Sequence, residues 1–222
     1  MIDEKIHRKS KSNKLSFALS KGRIKDEEIE FFKNIGLQVN FPQRELKCET
    51  EDFIFWLIKP QDVPTWVESG VVDFGVVGLD VIRETKKDVL ELMDLQIGKC
   101  RFSLACDEKK IGKILYDKVY VATKFPNLTR EYCSKIFRDF EIIHLHGSVE
   151  VAPQVGLADY ITDLVSTGRT LRENNLVELR VLFESSAYLI ANRSSFIVRY
   201  DLVENFLKIL HKSMRRDTFL FQ

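Results

Sequence analysis

No apolar run in this chain approaches the length needed to cross a bilayer, which excludes a membrane-spanning helix. The first fourteen residues, Met1–Lys14, are polar and basic and lack the apolar centre of a signal peptide. They read as a flexible tail, and the expected compartment is the cytoplasm. Charge of one sign is also missing. Lys and Arg number 34 against 33 Asp and Glu, a net +1, which argues against a dedicated nucleic-acid surface. Phosphate-binding clefts stay open, because they need local charge only. Cysteine is sparse: Cys48, Cys100, Cys106 and Cys133 form no CxxC pair and read as thiols in a reducing compartment. The four histidines make no metal constellation. His144 and His146 alternate on one face of an expected strand, where they read as strand residues. Gly/Ser-rich linkers and internal repeats are absent. What remains is 222 residues, 45% hydrophobic and 30% charged, enough to bury one large core or two small ones.

Apolar patterning places strands at Leu15–Leu19, Phe53–Ile58, Val71–Val77, Cys100–Cys106, Lys118–Ala122, Glu141–Leu145 and Tyr160–Val165, with β-like segments at Leu179–Phe183 and Ala187–Ala191. Helices are expected from Asp26 to Asn34, with Ile29, Phe32, Lys33 and Ile35 inward, and at Asp62–Glu68, Asp80–Glu84, Asn127–Phe137 and Val149–Leu157. A last amphipathic helix is expected over Ser195–His211, with Phe196, Val203, Phe206, Leu207 and Leu210 inward. Strands alternating with helices predict an α/β chain with mostly parallel sheets. With no linker to divide it, the chain is expected to cross between two lobes near residues 95–99 and to return near 176–179.

The segment Asp163-Leu-Val-Ser-Thr-Gly-Arg-Thr-Leu171 is the most informative. Gly168 lets the backbone approach a ligand without a Cβ clash. Ser166, Thr167 and Thr170 supply hydroxyls around it, and successive N–H groups in such a loop make a concave anion site. Asp163, at a strand end, can accept from sugar hydroxyls or hold magnesium through water. An acid followed by such a loop suits a sugar phosphate; the alternative is an ordinary turn of small residues. Ser20-Lys21-Gly22-Arg23 is a second turn between strand and helix, with a mobile ammonium and a planar guanidinium suited to phosphate. Arg44 and Lys59 are further loop cations. Gly75, Gly78 and Asp80 mark a third turn, where Asp80 either accepts from a base or ribose or caps the helix. Gly147-Ser148-Val149-Glu150 is a fourth, where Glu150 either holds ribose hydroxyls or answers the helix dipole. Such turns gather at the carboxyl edge of strands in open α/β sheets, where ligands bind.

At LSFALSKGRI (15–24), PQDVPTWVESGVVDFGVVGLDV (60–81), ELMDLQIGKCRFSLA (91–105), VATKFPNLTREY (121–132) and above all HGSVEVAPQVGLADYITDLVSTGRTLRENNLVE (146–178) the chain resembles the short form of the ATP phosphoribosyltransferase family. The resemblance runs from about residue 14 to the end. It implies an α/β two-lobed fold like type II periplasmic binding proteins, with a ligand cleft between lobes. Lobe one would be residues 1–96 plus 178–222, and lobe two 97–177 with the phosphoribosyl loop. It implies transfer of the phosphoribosyl group of PRPP to N1 of the adenine of ATP, with pyrophosphate released and magnesium required. Arg23 and Arg44 would act in catalysis on the leaving group. Lys21, Asp163, Ser166, Thr167, Gly168, Arg169 and Thr170 would bind PRPP, and Gly78, Asp80 and Glu150 would lie toward ATP. The lysine that follows the second arginine in the family is Glu45 here.

The resemblance also implies a homodimer that joins a regulatory subunit related to histidyl-tRNA synthetase, and no nucleic-acid or membrane partner. The chain stops after its last helix, which leads to the expectation that it lacks the histidine-binding domain of the long form. An apolar docking patch is expected, with Thr218-Phe-Leu-Phe221 one candidate and a strand packed on its own lobe the simpler reading. A non-catalytic small-anion binding protein of the same fold is the competing reading. A regulatory subunit that lost the chemistry is the third.

Overall fold

The structure, a computed structural model, describes residues 13–42, 45–111 and 118–218, with side chains of the last helix through residue 213. Arg44, most of the N-terminal tail and all but the backbone of Thr218 in the 218–221 run lie outside the described residues. The chain divides into two compact units. The first takes the described residues through Ile82, then Lys86–Gly98, and those from Ala187 onward; the second takes Arg83–Thr85 and the described residues of Lys99–Ser186.

In the first unit β1 (Leu15–Ser20) leads through a turn to α1 (Lys25–Asn34). The short edge strand β2 (Lys47–Glu49), β3 (Phe53–Ile58), α2 (Val63–Glu68), β4 (Phe74–Gly78), α3 (Leu79–Thr85) and β5 (Leu90–Asp94) follow. The sheet order is β2-β3-β1-β4-β11-β5, where β11 (Ala187–Ala191) is supplied by the returning chain. All six residues of β1 are buried, as a strand covered on both faces should be. Phe17 on β1 gathers five rings: Phe32, Phe53, Phe55, Phe74 and Phe206, at centroid distances of 5.4, 5.9, 5.1, 5.1 and 5.0 Å. Each such pair contributes roughly 0.5–1.5 kcal/mol beyond its buried area.

The closing helix expected over Ser195–His211 is two helices, α6 (Arg193–Val198) and α7 (Tyr200–Thr218). Arg199 stands at the break and donates to Asp73 and to the Lys14 carbonyl. Asp73, 3% exposed, also accepts from the Ser16 amide and hydroxyl and from the Ser195 hydroxyl. Four groups from distant parts of the sequence thus converge on one buried carboxylate.

The second unit holds β6 (Cys100–Asp107), β7 (Val119–Thr123), α4 (Pro126–Cys133), β8 (Phe140–His144), β9 (Tyr160–Val165), α5 (Arg169–Glu173) and β10 (Leu176–Ser185). Its sheet order is β10-β6-β9-β7-β8. Among the described residues, the sheets are mixed and not mostly parallel. β1 pairs in parallel with β3 and β4, and β7 with β8 and β9. Five pairings are antiparallel, among them β6 with β9 and β10 and β11 with β4 and β5. The second crossing is involved here. β10 stays with β6 along its whole length and only after Ser186 does β11 enter the other sheet. The chain therefore changes units after Ser186, later than the 176–179 expected from sequence.

Two expected helices are shorter. The helix of 127–137 ends at Cys133, and the amides of Lys135 and Ile136 close tighter turns onto Tyr132 and Cys133. The helix expected over 149–157 is a single 3-10 turn, Val149–Val151. Pro153 lacks the amide a continuing helix needs, and Gly156 turns away with a φ of +75°. Helix α1 buries Phe32 and Glu28, while Lys33 is exposed.

Candidate active site

Two loops carry most of the expected site, one in each unit. In the first unit β1 ends in Ser20, whose hydroxyl donates to the Val76 carbonyl at 2.8 Å. The Lys21 amide donates to the Ile58 carbonyl at 2.6 Å, so the chain leaves the sheet still anchored. Gly22 has a φ of +126°, a value that side-chain-bearing residues rarely adopt. Lys21, Gly22 and Arg23 are exposed. Arg23 donates to the Gly98 carbonyl at 3.1 Å, and the Gly98 amide donates to Glu27 at 2.7 Å. The loop is thus braced against residues 96–98 by one guanidinium bond and one carboxylate bond.

Asp80 is 4% exposed. A Cβ built on Gly78 would lie 2.2 Å from its Oδ1, so the carboxylate folds back over the Gly78 backbone. Only glycine fits there. The sequence left Asp80 open between ligand contact and local capping. The position places it within the first turn of α3, with Gly78 as the residue that opens the helix.

In the second unit Asp163 sits on β9 beside β6, opposite Ser103. It accepts from the Leu164 amide at 2.8 Å and faces the Lys124 ammonium at 3.4 Å. Burial raises its carboxyl above the ordinary range, Lys124 works against that, and the charge of Glu150 adds to it. Glu150 and Asp163 therefore bear on one another, with Lys124 between opposing influences. Lys124 beside Asp163 is a neighbour that sequence reasoning missed; its signal was the cation directly after β7 in VATKF.

Past β9 the loop Ser166–Gly168 leads into α5. Gly168 takes a left-handed φ of +72°. Ser166, Thr167, Arg169 and Thr170 are exposed. Two nearby guanidinium groups donate to carbonyls of this loop, Arg101 from a half-buried position and Arg172 from an exposed one. Arg101 donates to the Ser166 carbonyl at 2.9 Å and forks onto Glu178 with two bonds of 2.6 Å, and the Ser103 hydroxyl joins Glu178 at 2.6 Å. Arg172 donates to the Thr167 carbonyl at 3.1 Å. Carbonyl and amide of one peptide point in opposite directions, so holding the carbonyls of 166 and 167 aims the amides of 167 and 168 the other way. Arg169, expected among the PRPP contacts, pairs with Glu173 on its own helix at 2.6 Å, an exposed pair.

The thiols and imidazoles stay outside this chemistry. All four cysteines are free, and burial pushes Cys133 up to about 12. His144 and His146 stack edgewise at 4.9 Å and are exposed.

The family model described as ATP phosphoribosyltransferase matches residues 59–212. The chain belongs to the ATP phosphoribosyltransferase family. The ATP phosphoribosyltransferase of Campylobacter concisus is 43% identical over 197 residues, covering 88% of this chain and 97% of that one. Among solved structures, the ATP phosphoribosyl transferase (HisG:HisZ) complex from Thermotoga maritima superposes with a TM-score of 0.79 at 33% identity, over 91% of this chain and 99% of that one. Tv2483, solved with L-arginine, superposes at 0.60 with 13% identity over 97% of this chain and 89% of that one, a likeness of fold alone. The 163–170 loop is inside the matched span, and the 21–23 loop precedes it. No helix among the described residues is long and apolar enough to cross a membrane.

Proposed function

We propose that this pentosyltransferase of histidine biosynthesis transfers the phosphoribosyl group of PRPP to N1 of the adenine of ATP, the first step of the route. The N1 lone pair forms a bond to ribose C1 while the C1–O bond to the diphosphate breaks, and pyrophosphate leaves with that electron pair. The adenine nitrogen is itself the nucleophile, so the protein's work is alignment and charge stabilisation. The observation that carries the reading is the 163–170 loop. Its carbonyls are tied back by Arg101 and Arg172, its hydroxyls are exposed, and the Asp163 carboxyl stands at its base.

In this reading Ser166, Thr167, Gly168, Arg169 and Thr170 hold the 5-phosphate and Asp163 the ribose hydroxyls. Arg23 meets the charge that develops on the departing diphosphate, Lys21 meets substrate phosphates, and Arg44 shares the role of Arg23. Gly78, Asp80 and Glu150 lie toward ATP. Asp80 is nearly buried, so its part is to shape the turn. The donors fit a magnesium ion that arrives on substrate. Among the described residues no three His, Cys, Asp or Glu side chains converge as a cage, while Asp163 and Glu150 offer carboxylates of the hard type magnesium takes, directly or through water. When bound, the ion neutralises diphosphate charge. The Thermotoga complex supports a HisZ-like partner, and we extend this to a homodimer joined to a regulatory subunit in the cytoplasm.

The purified chain with ATP, PRPP, magnesium and a pyrophosphatase should form an N1-linked adduct absorbing near the purine band. No turnover, with or without a HisZ-like subunit, would leave the anion-binding alternative ahead.

A further inference from the structure

The Lys21–Arg23 loop rests on a buried acid with no part in the reaction described so far. Glu28 is fully buried on α1, four residues after Ile24 and four before Phe32. Its Oε2 accepts from the Ser20 amide at 2.8 Å. That bond ties the last residue of β1 to α1 and closes the intervening loop at its base. Among the described residues its Oε1 has no hydrogen-bond partner.

A carboxylate in such a place would be costly, because one oxygen has lost water without gaining a donor. Burial accordingly raises the Glu28 carboxyl well above the ordinary range. Ser20 from β1 acts against this, and the neighbouring Glu27 charge on the same helix adds to it. An apolar side chain would fill the position without that penalty, yet it could not hold the Ser20 amide.

We propose that Glu28 is a positioning residue for the Lys21–Arg23 loop, holding its base through Ser20 without setting a charge of its own against the loop. The inference rests on the assignment of Lys21 and Arg23 to substrate phosphates. An ionised Glu28 sets a negative charge within the support of an anion-binding loop. Diphosphate binding and Glu28 ionisation then disfavour one another by reciprocal linkage. The binding of a diphosphate should weaken as Glu28 loses its proton, and an amide in its place should remove that weakening.

The test titrates inorganic pyrophosphate with magnesium into wild type, Glu28→Gln and Arg23→Ala from acid to alkaline pH by calorimetry. The ratio of Glu28→Gln to wild-type affinity cancels the titration of pyrophosphate itself. It should start near one and rise by about tenfold, the equivalent of one pKa unit of coupling, with kcat/KM following. A ratio flat across pH overturns the proposal. Arg23→Ala binding as tightly as wild type overturns it differently, by removing the loop from phosphate recognition altogether. Should Glu28→Gln fail to fold, infrared difference spectra of the wild type decide. A protonated-carboxyl band should persist to higher pH with pyrophosphate bound, and a band that pyrophosphate leaves unmoved counts against the role.

Discussion

The two candidate phosphate loops use arginine in opposite ways. In the first unit Lys21 and Arg23 are exposed, and Arg23 is held by a bond to the Gly98 carbonyl at 3.1 Å. In the second, Arg101 and Arg172 hold the loop's own carbonyls. One loop presents positive charge of its own; the other presents hydroxyls, with two of its carbonyls tied by arginine. The difference suits two tasks. A 5-phosphate keeps its charge throughout the reaction and is best met by a rigid cradle. A leaving diphosphate gains charge as the bond breaks and is best met by groups whose grip strengthens at that moment.

That contrast is sharpest if kinetics separate the loops. Arg23→Ala should lower kcat on the order of 10²–10³-fold, the usual effect of losing one transition-state contact, and change PRPP affinity much less. Steady-state kinetics beside PRPP calorimetry would measure both, and unchanged turnover would remove Arg23 from the mechanism. Gly168→Val should do the converse and abolish PRPP binding. Valine is strained at a φ of +72°, and its Cβ would come within 3.2 Å of the Arg172 guanidinium. Because the loop is exposed, the unit should stay folded by circular dichroism. Retained PRPP binding would make the loop merely structural.

Arg101→Ala tests whether the bracing guanidinium matters to the cradle. It removes the bond to Ser166 and leaves Glu178, a partly buried carboxylate, without its fork. Hydrogen bonds to charged groups are worth about 1.5–3 kcal/mol, so the KM for PRPP should rise by roughly 10–100-fold, with kcat nearly unchanged. A fall in kcat alone would place Arg101 with Arg23 and erase the contrast.

The sequence showed one half of this contrast better than the other. The DLVSTGRTL segment marks a loop after a strand, although an ordinary turn of small residues reads the same way. The bracing by Arg101 was invisible: Arg101 lies on a strand, and its partner Glu178 is distant in sequence on a strand expected to begin later. Glu28 was hidden differently. It sits in KDEEIE, which reads as a solvated acidic turn, and only its spacing from Ile24 and Phe32 marks the inner face. The return crossing falls later than expected because the β-like segment at 179–183 belongs to β10, an edge strand that stays paired with β6 as far as Ser185. Arg44, expected to act beside Arg23, lies outside the described residues.

The smallest expected effect isolates Glu28 from catalysis altogether. Its carboxyl is raised in the folded protein, so the native state binds a proton more firmly than the unfolded chain. Its contribution to stability is therefore fully present below the ordinary value of 4.5 and is lost as pH rises toward the raised folded value. Within that window each pH unit should cost the wild type about 1.4 kcal/mol that an amide at this position does not lose. Denaturant titrations should find Glu28→Gln no more stable than wild type at acid pH, with its relative stability growing upward through the window. Neither outcome depends on ATP or PRPP. A gap that does not widen with pH would mean that Glu28 ionises freely in the folded chain, and the supported loop would then carry a negative charge at its base after all.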